Sequence, residues 1–406
     1  KQFQDAYLNS RYEASNKNSG VTNPNFKYLA KSFDLDYVSI KNDKEIYSKL
    51  GKIFKNKKTT IVEINIFPNE KIIPKLIYGR QLDDMYPNLT KKDISDLRSN
   101  WMFNLLIVGG TGFIGRSIHN YLLNNSIGKK FKKIYILSRK SKLSFLKKNN
   151  YFQTIKINTD ITKTKNLPDA DLIIYLAKLK NSKQDIFAAQ NISKILSKKK
   201  SKTKILYVSS GAVYGYLNKK KNLTENYLEN NKRVKFKDSK KNDYALSKIK
   251  CEKIFLELDS KVFDVKIARC FTFVGKNLTS DKFAVREFIL SILNNKPIII
   301  KSNFKVYRSY MHEDIMSKYL IKILLKENPR IRIFNVGSED KLDLKKLGKI
   351  LAKKYKLQFV DKKIIKKDAD FYVPNISRLK KNFNFKNNQS SLDSILKTIK
   401  SLKNVW

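Results

Sequence analysis

Tyr244 and Lys248 stand four residues apart in YALSK, so on a helix they share one face. A lysine ammonium beside a phenol favours the phenolate. The reference pKa of a tyrosine is about 10, and bringing such a phenol near 7 takes roughly 4 kcal/mol of differential stabilisation. A phenol tuned in this way can pass a proton to or from a hydroxyl while a nicotinamide moves a hydride. Thirty-four positions earlier (244 minus 210) the stretch ILYVSSGAVYG places Ser209 and Ser210 at a strand end. Ser210 can hydrogen-bond the same oxygen. A lone Tyr-x-x-x-Lys pair is cheap in a chain with 21 tyrosines, so the order of motifs carries the weight.

The first motif in that order is NLLIVGGTGFIGRSIHNYLL. An apolar run ends at Val108, Gly109, Gly112 and Gly115 follow at three-residue spacing, and a helix begins. Four of the thirteen glycines fall within seven residues here. Such a turn lets a pyrophosphate approach backbone N–H groups at a helix start, around Gly112, Phe113 and Ile114. A glycine pattern between strand and helix is a strong dinucleotide signal. The second strand runs into Ser138, Arg139 and Lys140, where an acidic residue would bind the ribose 2′-hydroxyl of NAD. A cation suits a 2′-phosphate, so NADP is favoured over NAD. Asp160 and Ile161 follow the third strand, at the place of an adenine contact.

Elements must hold these residues. Apolar runs at 104–108, 133–137, 171–176, 204–208 and 265–268 read as buried strands separated by helices. This alternation predicts an α/β fold with a Rossmann-type, doubly wound parallel sheet covered on both faces. A smaller substrate lobe draws on the chain after about residue 275.

With these motifs in place, residues 102–406 resemble the extended short-chain dehydrogenases, the NAD(P)-dependent epimerase/dehydratase family that acts on nucleotide sugars. GGTGFIG is similar to that family's cofactor loop, LIIYLAK to its fourth strand, SSGAVYG to its serine strand and YALSK to its active-site helix. VKIARCFTFVG, VYRSYMHEDI, FNVGSE and YVPNISRLKKNFNF continue the likeness. The resemblance implies catalysis by Tyr244, Lys248 and Ser210. It implies cofactor contacts from Gly109, Gly112, Phe113, Ile114, Gly115, Ser138, Arg139, Asp160, Ile161, Leu176, Ala177, Ser209, Tyr244 and Lys248. Substrate contacts fall to Ser210, Gly211, Tyr244 and Arg308, the last on a sugar-nucleotide diphosphate. Dehydratases of the family carry an Asp-Glu pair after the hydroxyl residue; here stand Gly211 and Ala212, which favours an epimerase or a keto-sugar reductase in surface polysaccharide synthesis. The glycine usual before the arginine is missing in KSNFKVYRSY. Homodimerisation through helices is common in the family. His312, Arg269, Asn191 and the two cysteines, Cys251 and Cys270, read as structural.

Composition closes several alternatives. Two cysteines and two histidines cannot build a four-ligand zinc site, and no metal is expected. No disulfide framework is implied, which fits a reducing, cytoplasmic setting. No apolar run reaches the roughly 20 residues that span a bilayer. The net charge of +49 invites a nucleic-acid reading. The lysines, however, are spread over almost every segment, and no recognition motif accompanies them. A non-catalytic dinucleotide-binding protein and a basic nucleic-acid binder remain the alternatives.

Residues 1–90 have a different texture. Helical spacing is expected over 24–33 and 43–54, the latter with apolar positions Ile46, Leu50 and Phe54, and strands at 37–40 and 60–66. Four of the eight prolines lie in the first 90 residues. SGVTNPNFKYLAKSFDLDY, TIVEINIFPNEKIIPKL and LDDMYPNL are similar to the C-terminal end of thiamine-diphosphate enzymes of the acetolactate synthase type. That family's metal-and-diphosphate motif would lie before Lys1, so thiamine diphosphate is not expected to bind. Residues 91–101 read as a linker, and Met102 as the start of a second reading frame joined to the first.

Overall fold

The computed structural model describes residues 20, 22–55, 58–65, 75–76, 85–86, 102–139, 151–216, 223–230, 233, 235–278, 283–326, 331–361, 369–385 and 389–403. The chain divides into two units, Lys1–Arg98 and Ser99–Trp406. The expected linker and Lys140 lie outside the described residues.

In the first unit, α1 (Phe26–Ser32) starts where Asn25 accepts the amides of Lys27 and Tyr28. β1 (Asp36–Ile40) and β2 (Thr60–Ile64) pair in parallel around α2 (Asp43–Lys55). The expected apolar stripe of α2 is corrected in one place. Phe54 is 83% exposed, and Ile53 continues the half-buried stripe from Ile46 and Leu50.

The second unit is built on β3 (Phe103–Val108), α3 (Phe113–Leu123), β4 (Phe131–Ser138), β5 (Gln153–Asn158), β6 (Leu172–Tyr175), α4 (Ser182–Leu196), β7 (Thr203–Ser210), α5 (Ser239–Leu256) and β8 (Phe263–Cys270). After these come α6 (Ala284–Leu293), β9 (Ile298–Ile300), β10 (Lys305–Arg308), α7 (Glu313–Leu325), β11 (Ile333–Val336), α8 (Leu344–Tyr355), β12 (Phe359–Asp361), β13 (Ala369–Tyr372), α9 (Ser377–Phe383) and α10 (Ser391–Lys403). Seven parallel strands form one sheet in the order β11-β8-β7-β6-β3-β4-β5. The order turns back between β3 and β6, the switch point where such sheets open a crevice at their carboxyl ends.

Alternate residues of the central strands feed opposite layers. Leu105 and Ile107 of β3 enter the core shared with Ile118, Met316 and Leu320, whereas Leu106 and Val108 join Ile192, Cys251 and Phe255. α3 and α7 therefore cover one face, and α4 and α5 the other. Burial on both faces explains why these strands read as continuous apolar runs rather than alternating ones. Two edge strands were missing from those runs. β5 reads QTIKIN and is only half-buried, while β11 is four residues long.

The smaller lobe has its own core, with Val285, Phe288, Ile298, Leu347 and Ile395. Within it β9 pairs with β12, and β10 pairs in parallel with β13. Glu313, at the start of α7, ties this lobe to the sheet. Its carboxylate accepts from Ser117 of α3 at 2.7 Å, from the Lys276 amide at 3.0 Å and from Asn277 at 3.0 Å. Among the described residues no helix is long and apolar enough to cross a membrane.

Candidate active site

The glycine loop joins β3 to α3 at the switch point. Gly109 has φ +80°, which non-glycine residues rarely adopt, and its amide donates to the Leu137 carbonyl at 2.9 Å. A Cβ on Gly109 would stand 2.7 Å from Ala177 Cα, so Ala177 closes against the loop. Leu176 donates its amide to the Val108 carbonyl at 2.8 Å, fixing that neighbour. Gly115 needs its hydrogen because a Cβ would strike the Gly110 carbonyl.

Gly112 differs from these. A Cβ there would meet only the Gly109 carbonyl oxygen, at 3.9 Å. No described neighbour demands glycine at this position. Gly112 also precedes α3 without any side-chain cap, and the first turn, with Phe113 and Ile114, holds no acidic residue. Open space before uncapped helix N–H groups fits the pyrophosphate of a dinucleotide. Arg116, which sequence reasoning missed, folds back to donate to the Thr111 carbonyl at 2.9 Å.

At the end of β4, Ser138 is buried and shares a hydrogen bond with Thr111 at 3.2 Å. Arg139 is exposed beside it. Asp160 accepts the amide and hydroxyl of Thr162 at 2.9 and 2.7 Å. These bonds hold its carboxyl below the usual range, and the Arg139 charge adds to them. Ile161 is buried in the core beneath. Asn191 donates to the carbonyls of Ile161 and Thr164, both at 3.0 Å, so its role is structural as expected.

The residues expected to be catalytic arrive from two adjacent elements. Asp238 caps α5 by accepting the Lys240 amide at 2.8 Å. Tyr244 and Lys248 then follow on one face. The Lys248 ammonium lies 5.9 Å from the Tyr244 ring centre and 5.2 Å from that of Tyr207 below it. A second cation, Lys178, sits 4.6 Å from the Tyr244 ring centre, from the loop after β6. Among the described residues no hydrogen bond joins Tyr244 to Lys248 or Ser210. The serine instead meets Tyr372 of β13. Its oxygen lies 3.3 Å from Ser210 Oγ, and its phenol feels the charge of Tyr244.

Ser209 is directed elsewhere. Its hydroxyl donates to Glu252 at 2.5 Å, inside a buried set in which Arg269 bonds Glu252 at 2.9 and 3.1 Å. That hydroxyl is spent on the protein, although the backbone of Ser209 stays at the strand end. Arg269 supports the sheet end, as expected. His312 caps α7, accepting the Asp314 amide through Nδ1 at 3.2 Å. Cys251 and Cys270 are buried thiols that burial pushes up in pKa.

Among the residues expected to face a substrate, a Cβ on Gly211 would stand 2.7 Å from Phe271 Cζ. Arg308 bonds the Asp370 carboxylate at 2.6 Å, the Asp370 carbonyl at 3.1 Å and the Tyr307 carbonyl at 2.8 Å. Asp370 and Tyr372 are two apart on β13 and so point to the same side. Neither was found from sequence, because only a register between distant strands brings them here. No group of described residues could hold a metal ion.

Comparison with known proteins agrees with this geometry. No curated protein matches the chain by sequence. Among solved structures, it is similar to a UDP-glucuronic acid 4-epimerase from Bacillus cereus in complex with UDP-glucuronic acid and NAD. The identity is 19%, covering 75% of this chain and 100% of that one, with a TM-score of 0.61. A UDP-N-acetylglucosamine 4-epimerase from Methanobrevibacter ruminantium M1 in complex with UDP-N-acetylmuramic acid is 20% identical over 75% of this chain and 99% of that one, TM-score 0.61. A dTDP-glucose 4,6-dehydratase from Bacillus anthracis in complex with NAD is 16% identical over 74% and 96%, TM-score 0.59. At these identities the likeness is one of fold. The family described as NAD dependent epimerase/dehydratase matches residues 105–337, and the chain belongs to it.

Proposed function

We propose that the second unit acts on a nucleoside-diphosphate sugar as a 4-epimerase or keto-sugar reductase. The reading is supported by Ser210 at the carboxyl end of β7, by Tyr244 and Lys248 on α5, which packs against that strand, and by a glycine loop in the same sheet whose Gly112 is open. A bound nicotinamide dinucleotide supplies hydride exchange at the sugar carbon. The protein's part is the proton. Tyr244 takes it from a sugar hydroxyl or returns it to a keto oxygen, with Lys248 favouring the phenolate. Ser210 holds the same oxygen in place, and Arg308 suits the diphosphate. Structures similar to this chain hold UDP-sugars, which supports that substrate class.

Against dehydration, Phe271 fills the space an elimination acid at position 211 would need. NADP is proposed over NAD because Arg139 stands where NAD enzymes place an acid, although several similar structures hold NAD. A homodimer through the outer faces of α4 and α5 is also proposed. Phe187 and Leu246 on these helices are 57% and 44% exposed. The cytoplasmic and polysaccharide setting rests on nucleotide-sugar chemistry alone. For residues 1–90 the thiamine-enzyme likeness stays a proposal of ancestry, with no chemistry assigned.

Titration with NADPH and NADH, following nicotinamide fluorescence with and without UDP, dTDP and GDP, tests the reading. NADPH binding strengthened by one nucleotide is expected. Tyr244→Phe is expected to keep that binding while losing turnover of UDP-sugars about 10²–10⁴-fold. No binding of either dinucleotide would remove the enzyme reading.

A further inference from the structure

Ser210 Oγ has two neighbours within hydrogen-bond reach, and the proton between the two hydroxyls can belong to either. The Ala212 amide donates at 3.2 Å. The Tyr372 oxygen lies at 3.3 Å. A serine hydroxyl offers two acceptor lone pairs and a single proton. We propose that Tyr372 is a positioning residue that donates to Ser210 Oγ, so that Ser210 can act only as a donor toward the substrate oxygen. This rests on the assignment of Ser210 and Tyr244 above and deepens it.

Three features place the Tyr372 hydroxyl. Its ring packs 4.8 Å from that of Phe271. The Arg308 guanidinium carbon stands 5.7 Å from the ring centre. Parallel pairing of β13 with β10 sets Tyr372 opposite Arg308 itself. The other acceptor within reach, the Cys270 carbonyl, is farther at 3.5 Å. Burial pushes the Tyr372 phenol up, against the smaller opposing effects of Ser210 and Arg308. It therefore keeps its proton at neutral pH and stays a donor.

The consequence is a division of labour at one substrate oxygen. Ser210 gives a hydrogen bond and never takes the proton. The proton of a sugar hydroxyl then has Tyr244 as its acceptor, and in the reverse direction a keto oxygen receives it from Tyr244 while bonded to Ser210. Two tyrosines then serve one substrate oxygen with opposite duties, Tyr244 directly and Tyr372 through the serine.

Tyr372→Phe keeps the ring and removes the donor. In an assay of UDP-sugar conversion, kcat is expected to fall about tenfold, as for one lost hydrogen bond. KM for the sugar nucleotide and nicotinamide-dinucleotide binding should stay unchanged. The double variant Ser210→Ala/Tyr372→Phe should be no slower than Ser210→Ala alone, because Tyr372 acts through that hydroxyl. Wild-type kcat in Tyr372→Phe, a change confined to KM, or losses that multiply in the double variant would each overturn the inference. Ser210→Ala and Tyr244→Phe run beside it. If these two keep turnover, the active-site reading itself falls, and the inference with it. If they lose turnover while Tyr372→Phe does not, only the inference falls.

Discussion

Nη2 of Arg308 and Oδ2 of Asp370 are 2.6 Å apart, in a pair whose side chains are mostly covered. The carboxylate anchors one edge of the guanidinium, and two carbonyls hold Nη1. Of five N–H donors, the single one on Nε has no hydrogen-bond partner among the described residues. Asp370 thus orients the arginine and leaves an edge for another anion. A lysine at 308 could not serve both, since an ammonium is a point charge without a planar fork. Arg308→Lys is expected to raise KM for the sugar nucleotide about tenfold while kcat changes less than about threefold. Steady-state kinetics check this, and an unchanged KM would take Arg308 out of the substrate site.

The glycines of the loop separate folding from binding. Gly112→Ala meets open space, so the melting temperature of the cofactor-free protein should not change. Dinucleotide binding, followed by nicotinamide fluorescence, should weaken about tenfold or more, a loss of about 1.4 kcal/mol. Gly109→Ala places a methyl against Ala177 at a positive φ, and the melt should show a loss of about 1–3 kcal/mol. Undiminished binding in Gly112→Ala would mean that the open position faces no cofactor.

His119 makes the fold sensitive to acid. It is buried in α3, 3.1 Å from the Thr154 hydroxyl and edge-on to Phe152. Burial pushes it down to about 4 from an ordinary 6.5. Between these values the unfolded chain binds a proton that the folded protein does not, so stability rises with pH across this window. It is fully present above about 6.5 and lost progressively toward 4, by at most about 3 kcal/mol. Denaturant melts at pH 7 and pH 4.5 should show a smaller difference in His119→Gln than in the wild type. An equal difference would assign the acid sensitivity to other groups.

Much of the site was legible because it is local. The glycine loop, Ser210 and the Tyr244–Lys248 pair each lie within one short segment whose spacing states its geometry. The central strands were equally plain, since burial on both faces leaves an uninterrupted apolar run. β5 and β11 were harder. Both are edge strands, one half-buried and one very short, and neither needs such a run. Asp370 and Tyr372 were hidden for another reason. Their partners Arg308 and Ser210 lie 62 and 162 positions away; the register of β13 on β10 brings Arg308 near, and only the tertiary fold brings β13 to the end of β7. Ser209 shows the opposite case. Its motif suggested a cofactor contact, but the buried Glu252 captures its hydroxyl.

The Glu313 carboxylate also bears on how this enzyme could be rebuilt. Its partners lie on α3 at Ser117 and on the chain leaving the sheet at Lys276 and Asn277. A chimera that kept this glycine-loop half and borrowed the chain after Gly275 would carry positions 276, 277 and 313 together and part the acid from Ser117 alone. The borrowed chain therefore needs a glutamate at position 313 to meet Ser117, with Gly275 retained because any side chain there would collide with that glutamate. Recombination between relatives at the apparent lobe boundary would stall on this one carboxylate, whatever sugar the new lobe accepted.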